Sequence, residues 1–393
     1  MKKLITIAAA LALTFGAASA QESETSISTA GIFGNDVDDF MDVNSWSNVN
    51  PENMFGYVGV GTATYGRPAY ELGFAKNFGG IYWGSFFGGD FGNYTKTSTG
   101  NTDSSVSATT DSTNWEFDNI IGFDNMGFKL SFSYYDNNSS KTDDDNFTDY
   151  SSWYVAGQFG INLGNLTPHV GISYRNNSNF VAYTKVNGTE NDPRMARLNF
   201  FGGLGIELSG EPVEQKLDLD LGVPVYIKGD DAAEDGYVGL EFEPYYTVKY
   251  KASDALSLGA KLGLPFEFGF GDTFTFELNP SVDAGLSYKV TEKLTLNSGI
   301  KFKIVGFSYA SNSDADTSTF TANGDDGYVT FKSGFNYALN EKVSLDFNWD
   351  VLSGIFGSDF NSDFDTGSSS DAFWGNMNTI FKNQFGFIVV MKF

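Results

Sequence analysis

An all-β fold, a transmembrane antiparallel up-and-down β-barrel of about 16 strands, is predicted by three observations. The first is the final stretch, Ile380 to Phe393. Phe385, Phe387, Val389, Met391 and Phe393 share one face, while Gln384, Gly386, Ile388, Val390 and Lys392 share the other. Period two means a strand. A terminal strand with no cap leaves an apolar edge open, unless the first strand pairs with it and closes a barrel. The second observation is that alternating segments of about ten residues recur along the chain, separated by turn-formers. The third is that the connections alternate between short and long, as they do where tight turns sit on one rim and loops on the other.

Composition agrees. The 393 residues suffice for two soluble domains or one large β-structure. Phe (38), Tyr (20) and Gly (45) are abundant, yet mean hydropathy is only -0.22. No apolar run after the N-terminus approaches the ~18 residues of a membrane helix. Aromatics, glycines and mild polarity together suit a lipid face and a wet lumen. Residues 1–20 read as a secretory signal peptide: Lys2 and Lys3, an apolar run from Leu4 to Phe15, and Ala18-Ser19-Ala20 before Gln21. The absence of Cys excludes a disulfide scaffold and thiolate metal sites. The formal charge of -25 becomes -27 when Lys2 and Lys3 leave with the signal peptide. That argues against nucleic acid or anionic lipid as the main partner.

In chain order, residues 21–52 read as a periplasmic lead-in or a plug. Asp36, Asp38, Asp39 and Asp42 carry the ligand type of a calcium site, but not the spacing of an EF-hand loop. Residues 53–393 read as the barrel. Short turns are expected at 77–80, 124–127, 162–165, 209–215, 252–254, 291–293 and 340–342, where Gly, Asn and Asp supply positive φ or side-chain turns. Long polar loops are expected at 91–113, 137–149, 177–194, 228–235, 309–326 and 353–378. The connections at 65–68 and 265–272 are brief or poorly marked. Seven short turns pair strands two by two, and a first and last strand complete sixteen. The count falls to 14 if the first hairpin is not embedded, and rises to 18 if residues 21–52 hold a strand pair. An even count puts both termini on one side.

Alternation is clearest in the second half. Leu217, Leu219, Leu221, Val223, Val225 and Ile227 oppose Lys216, Asp218 and Asp220. Leu240, Phe242, Tyr246 and Val248 oppose Glu241, Glu243, Tyr245 and Thr247. Phe274, Phe276, Val282 and Ala284 oppose Thr275, Glu277, Ser281 and Asp283. A soluble sandwich would turn the apolar face inward, a membrane barrel outward. The leader, the terminal Phe strand and the two classes of connection favour the barrel.

With those residues in view, the Phe-terminated strand (Phe385, Phe387, Val389, Met391, Phe393) resembles the signal carried by bacterial outer-membrane proteins. The resemblance implies a Gram-negative-type envelope, location in the outer membrane, and assembly by the barrel insertion machinery through that strand. It names no subfamily, and the Pro-Glu-Phe-Gly-Gly constriction motif of classical trimeric porins is absent.

Residues that carry chemistry are few. His169 is the only histidine, with Thr167, Gly171 and Ser173 on the same strand face. Ser173 stands about 13 Å away along the strand at ~3.3 Å per residue, too far for a nucleophile–base pair. No enzyme activity and no cofactor are expected. Asp143, Asp144, Asp145, Asp314 and Asp316 read as solvated loop residues. The functional signal is the set of charges on polar strand faces. Lys261, Lys301, Lys303 and Lys332 read as a basic pore wall beside an acidic one of Asp218, Asp220, Glu241 and Glu243. The expected function is passive diffusion of small hydrophilic solutes, selected by pore size and wall charge. Two alternatives stay open: a plugged transporter for hydrophobic, fatty-acid-type compounds, and a surface protein that adheres through its loops. Expected partners are outer-membrane lipid, the insertion machinery and small solutes. Self-association is compatible with all three readings.

Overall fold

In the computed structural model the described residues are 55–62, 68–99, 105–140, 147–177, 183–186, 189–191, 194–229, 236–303, 306–312, 317–323, 328–350 and 385–392. The expected signal peptide, the stretch 21–52, the loop 353–378 and the loop aspartates 143–145, 314 and 316 lie outside them. Twenty-two strands follow one another with no helix among the described residues. They are β1 (Phe55–Thr62), β2 (Pro68–Asn77), β3 (Ile81–Thr99), β4 (Ser105–Phe123), β5 (Met126–Ser140), β6 (Phe147–Ile161) and β7 (Leu166–Arg175). A short hairpin, β8 (Tyr183–Val186) and β9 (Thr189–Asn191), comes next. Then follow β10 (Met195–Ser209), β11 (Val213–Lys228), β12 (Val238–Lys251), β13 (Leu256–Gly263), β14 (Phe266–Phe270), β15 (Thr273–Leu278) and β16 (Ser281–Lys289). The last are β17 (Leu294–Lys303), β18 (Gly306–Asn312), β19 (Thr317–Asn323), β20 (Tyr328–Ala338), β21 (Val343–Asp350) and β22 (Phe385–Lys392).

These strands make sixteen staves of one closed antiparallel barrel, the count the sequence predicts. Four staves are each built from two strands: β13 with β14, β15 with β16, β17 with β18, and β19 with β20. Two of those breaks fall at Pro265 and Pro280, which have no N–H to give the ladder. The ladder bridges the first break, because Leu264 N–H donates to the Pro244 carbonyl at 3.1 Å. Closure is made by β22 on β1, from Phe55 opposite Lys392 to Gly61 opposite Gly386. The open edge of the terminal strand is thereby paired.

All seven short turns occur where expected, and their side chains explain them. Asn77 accepts from Gly80 N–H at 2.7 Å, Asn162 from Gly164 N–H at 2.8 Å, and Asn340 from Lys342 N–H at 2.8 Å. Ser253 and Thr291 cap their turns in the same way. Gly79, Gly80, Gly164 and Asp124 take the positive φ that such reversals need.

The long connections differ from expectation. Most of 91–113 is not loop: β3 and β4 stay paired up to Thr99 opposite Ser105. A stave needs about 9–11 residues to cross a membrane, so the 19 residues of each strand continue well beyond it. The loop expected at 177–194 contains the hairpin β8–β9, which extends the ladder at the upper end of β6. The loops at 137–149 and 309–326 shrink because strands run to Ser140, from Phe147, to Asn312 and from Thr317. Residues 265–272 are mostly strand β14, and only Gly271 and Asp272 turn.

The two faces of the wall differ sharply. Val58, Leu72, Phe117, Leu130, Ile172, Phe200, Leu262, Leu286, Leu296 and Phe387 are exposed large apolar residues on the outward face. A belt of that kind needs hydrocarbon against it. Aromatic side chains rim it. Tyr250, Tyr288 and Tyr337 lie near the turns, and Trp115, Tyr134, Trp153 and Tyr174 each stand eight residues above the turn end of their strand. On the inward face near the closing seam, Tyr57, Ala75, Tyr82, Phe86, Ile120, Ile388 and Val390 pack into one buried cluster.

Candidate channel wall

Inward side chains are set by strand parity, and strand register decides which of them meet. Lys261 lies directly opposite Asp283, and Asp283 in turn lies opposite Lys301. Lys332 is opposite Gly299, one inward position along the strand from Lys301. The expected basic wall therefore carries a carboxylate at its centre. Lys303 is placed by register alone, between Ser281 and Tyr328.

The expected acidic wall is also mixed. Asp218 pairs with Lys216 at 2.9 Å, Asp220 sits 3.5 Å from His169, and Glu241 pairs with Arg197. Glu243 accepts from the Tyr245 hydroxyl at 3.0 Å, and Lys261 lies 4.2 Å from the centre of the Tyr245 ring. His169 and Asp220 meet although β10 runs between them. Gly203 occupies the intervening position, and a Cβ there would stand 2.6 Å from His169 Cε1. A glycine is what lets side chains two staves apart touch.

The structure also joins to Glu241 three residues that the expected walls did not include, Glu267, Glu277 and Arg197. Glu241, Glu267 and Glu277 form one row across β12, β14 and β15, each directly opposite the next. Arg197 reaches this row through Glu241 and lies 5.5 Å from the Tyr226 ring, which stacks on Tyr237 at 4.2 Å. Glu267 stands six residues above Lys261 on its stave, and Glu277 stands six above Asp283. Acid thus lies over base on the same wall, rather than beside it on another. Register is what stacks the two sets, and register is not contained in period two.

Burial separates the wall into two regions. Inward residues at the seam are packed away, with Ile120, Ile388 and Phe86 at 0–2% exposure. The charged positions on the far side are not. Glu277 is exposed although it faces inward, and Lys261, Lys301, Lys332, Asp218, Asp220, Glu243 and Glu267 are half-buried. Glu241 is the buried member, at 5%. Near the seam one further pair, Lys129 with Asp118 at 2.9 Å, lies against the apolar cluster.

A closed barrel with an outward apolar belt and an inward charged wall defines the class: a membrane-spanning antiparallel β-barrel. No protein-family model matches the chain, and no curated protein matches it. Among solved structures it is similar to the copper transporter OprC (TM-score 0.38, 13% identity, covering 76% of this chain and 63% of that one). It is also similar to CdiB from Escherichia coli (TM-score 0.46, 8% identity, covering 86% and 63%). A third is the toluene transporter TodX of Pseudomonas putida (TM-score 0.37, 11% identity, covering 82% and 89%). The chain spans less than two thirds of the length of the first two.

Proposed function

We propose that this chain is a passive channel for small hydrophilic solutes, selective by width and wall charge. The observation that carries the reading is partial solvent access at inward charges at membrane depth, Lys261, Lys301, Lys332 and Asp218. A barrel of sixteen staves is wide enough to leave an aqueous lumen where eight would be filled by side chains. The lumenal residues of this reading are Lys261, Lys301, Lys303, Lys332, Asp218, Asp220, Glu241 and Glu243, joined by Arg197, Glu267 and Glu277. A permeating ion meets the glutamate row first from the loop side and the lysines below it. The process has no chemical step and needs no cofactor. In this reading the leader is cleaved after Ala20, and the terminal Phe strand is what the insertion machinery recognises.

Two variants test the wall. Lys301→Glu is expected to shift the reversal potential across a planar bilayer under a salt gradient toward stronger cation preference. An unchanged potential from an open channel would remove Lys301 from the conduction path. Arg197→Met is expected to act in the same direction, because it removes the cation that touches the glutamate row. Its effect should fade at ~1 M salt, where the screening length is ~3 Å.

The loop-mediated reading has one observation in its favour, the β3–β4 ribbon that continues beyond the membrane. Shortening that ribbon at both strands should leave conductance unchanged under the channel reading. The hydrophobic-compound reading draws on the apolar cluster at the seam, but every member of that cluster is buried, at 0–6% exposure.

A further inference from the structure

The outward apolar face has different heights on opposite sides of the barrel. On β4 to β7 it ends at Trp115, Tyr134, Trp153 and Tyr174, eight residues above the turns. Two residues further up on the same face come Thr113, Asp136 and Ser151. On the flank from β12 to β19 the apolar face does not stop there. Phe268, Phe270, Phe274, Phe276, Phe307 and Tyr309 stand twelve to fifteen residues above the turn ends of their staves. With ~3.3 Å per residue and a tilt of ~40°, eight residues rise about 20 Å and fifteen about 38 Å. The apolar band of such a barrel is about 25 Å tall. The upper aromatics of this flank therefore reach roughly 10 Å above the hydrocarbon that covers the other side.

These side chains pack ring against ring across neighbouring staves. Phe268 and Phe276 have centroids 5.1 Å apart, Phe270 and Phe274 5.8 Å, Phe274 and Tyr309 6.3 Å, and Phe307 and Phe320 6.2 Å. Phe270 is 50% exposed, Phe307 39% and Phe320 68%. A patch of that kind above the lipid calls for a cover.

We infer that the cover is a second copy of this chain, bound through the same flank in a symmetric dimer whose axis runs along the membrane normal. Two copies inserted in one membrane share orientation and depth. A patch at a given height then meets an equal patch only on another copy, and a two-fold contact is the self-complementary way to do so. Area is sufficient. At ~200 Å² per aromatic side chain, the three most exposed rings offer about 300 Å². The part-exposed rings beside them bring this to roughly 500 Å² per copy, about the ~1,000 Å² in total that a specific interface needs. The inference goes beyond the channel reading and does not depend on it.

The chain has no cysteine, so Phe320→Cys supplies a single thiol for a spin label. Reconstituted in nanodiscs, the labelled chain should give a defined label-to-label distance that vanishes on dilution with unlabelled chain. The double substitution Phe268→Ser/Phe276→Ser should abolish it while the barrel retains its β-sheet circular dichroism. Particle mass of the unmodified chain provides a reading that needs no variant. A monomer mass with no inter-label distance would overturn the inference. So would strong collisional relaxation of the Phe320→Cys spin label by lipid-dissolved oxygen in nanodiscs, since lipid would then be the cover.

Discussion

Phe86→Ala is expected to destabilise the barrel by about 3–5 kcal/mol, the cost of removing a fully buried aromatic ring. Phe86 is 2% exposed, faces inward, and stacks beside Tyr57 with centroids 6.1 Å apart. Both rings lie over Gly73, where a Cβ would stand 2.6 Å from Phe86 Cδ1 and 2.9 Å from Tyr57 Cζ. The glycine lets the rings lie flat against the wall, and the space this leaves is filled by Ile120, Ile388 and Val390. Urea titration of the barrel folded into lipid vesicles measures the loss. A cost under ~1 kcal/mol would mean that the seam-side lumen is hollow rather than packed, and would reopen the reading of an apolar conduit.

Leu262→Arg is the second large effect. Leu262 is exposed on the outward face, six residues above the turn end of β13, near the middle of the belt. An Arg at the midplane of a barrel's lipid face costs about 2–4 kcal/mol. Its chain neighbour Lys261 already carries a cation on the opposite face, over the Tyr245 ring. The comparison is therefore between two adjacent positions that differ only in the side of the wall they occupy. Leu262→Arg in vesicles should lose stability by that amount, whereas Lys261→Arg should be nearly neutral. Equal effects at the two positions would contradict the inside–outside assignment.

Much of this architecture was legible in the sequence, for a physical reason. Where lipid lies on one side and water on the other, period two is written strongly, as in Leu217 to Ile227. Turn residues such as Asn77, Asn162, Ser253, Thr291 and Asn340 mark the rim because their side chains replace backbone partners. That combination was enough for the strand count and the turn positions. Above the membrane the contrast between faces disappears. Asn93, Thr95, Thr97 and Ser98 look like loop because both sides of their ribbon lie beyond the lipid. Residues 266–270 alternate well, but their turn is two residues long, on a rim where long loops were expected. The charged wall was legible as a list and not as an arrangement. Which carboxylate faces which lysine depends on register between strands, and so does the meeting of His169 with Asp220 across Gly203. The glutamates of the upper row, Glu267 and Glu277, lie on strands whose alternation was partly or fully apparent. Their adjacency to Glu241 appears only once β12, β14 and β15 are aligned. The seam cluster stayed hidden because Ile388 and Val390 lie on the mixed face of the last strand, and their packing beside Tyr57 appears only once β22 is aligned with β1.

The channel reading requires an open, water-filled lumen. Single-channel recording of the unmodified barrel in a planar bilayer decides whether it exists. An open lumen gives stable conductance steps that scale with bulk salt and favour cations. A barrel shown to be folded by circular dichroism that stays silent across the accessible voltage range would contradict it, and the function would then have to lie in the extramembrane ribbons or in a closed transport path.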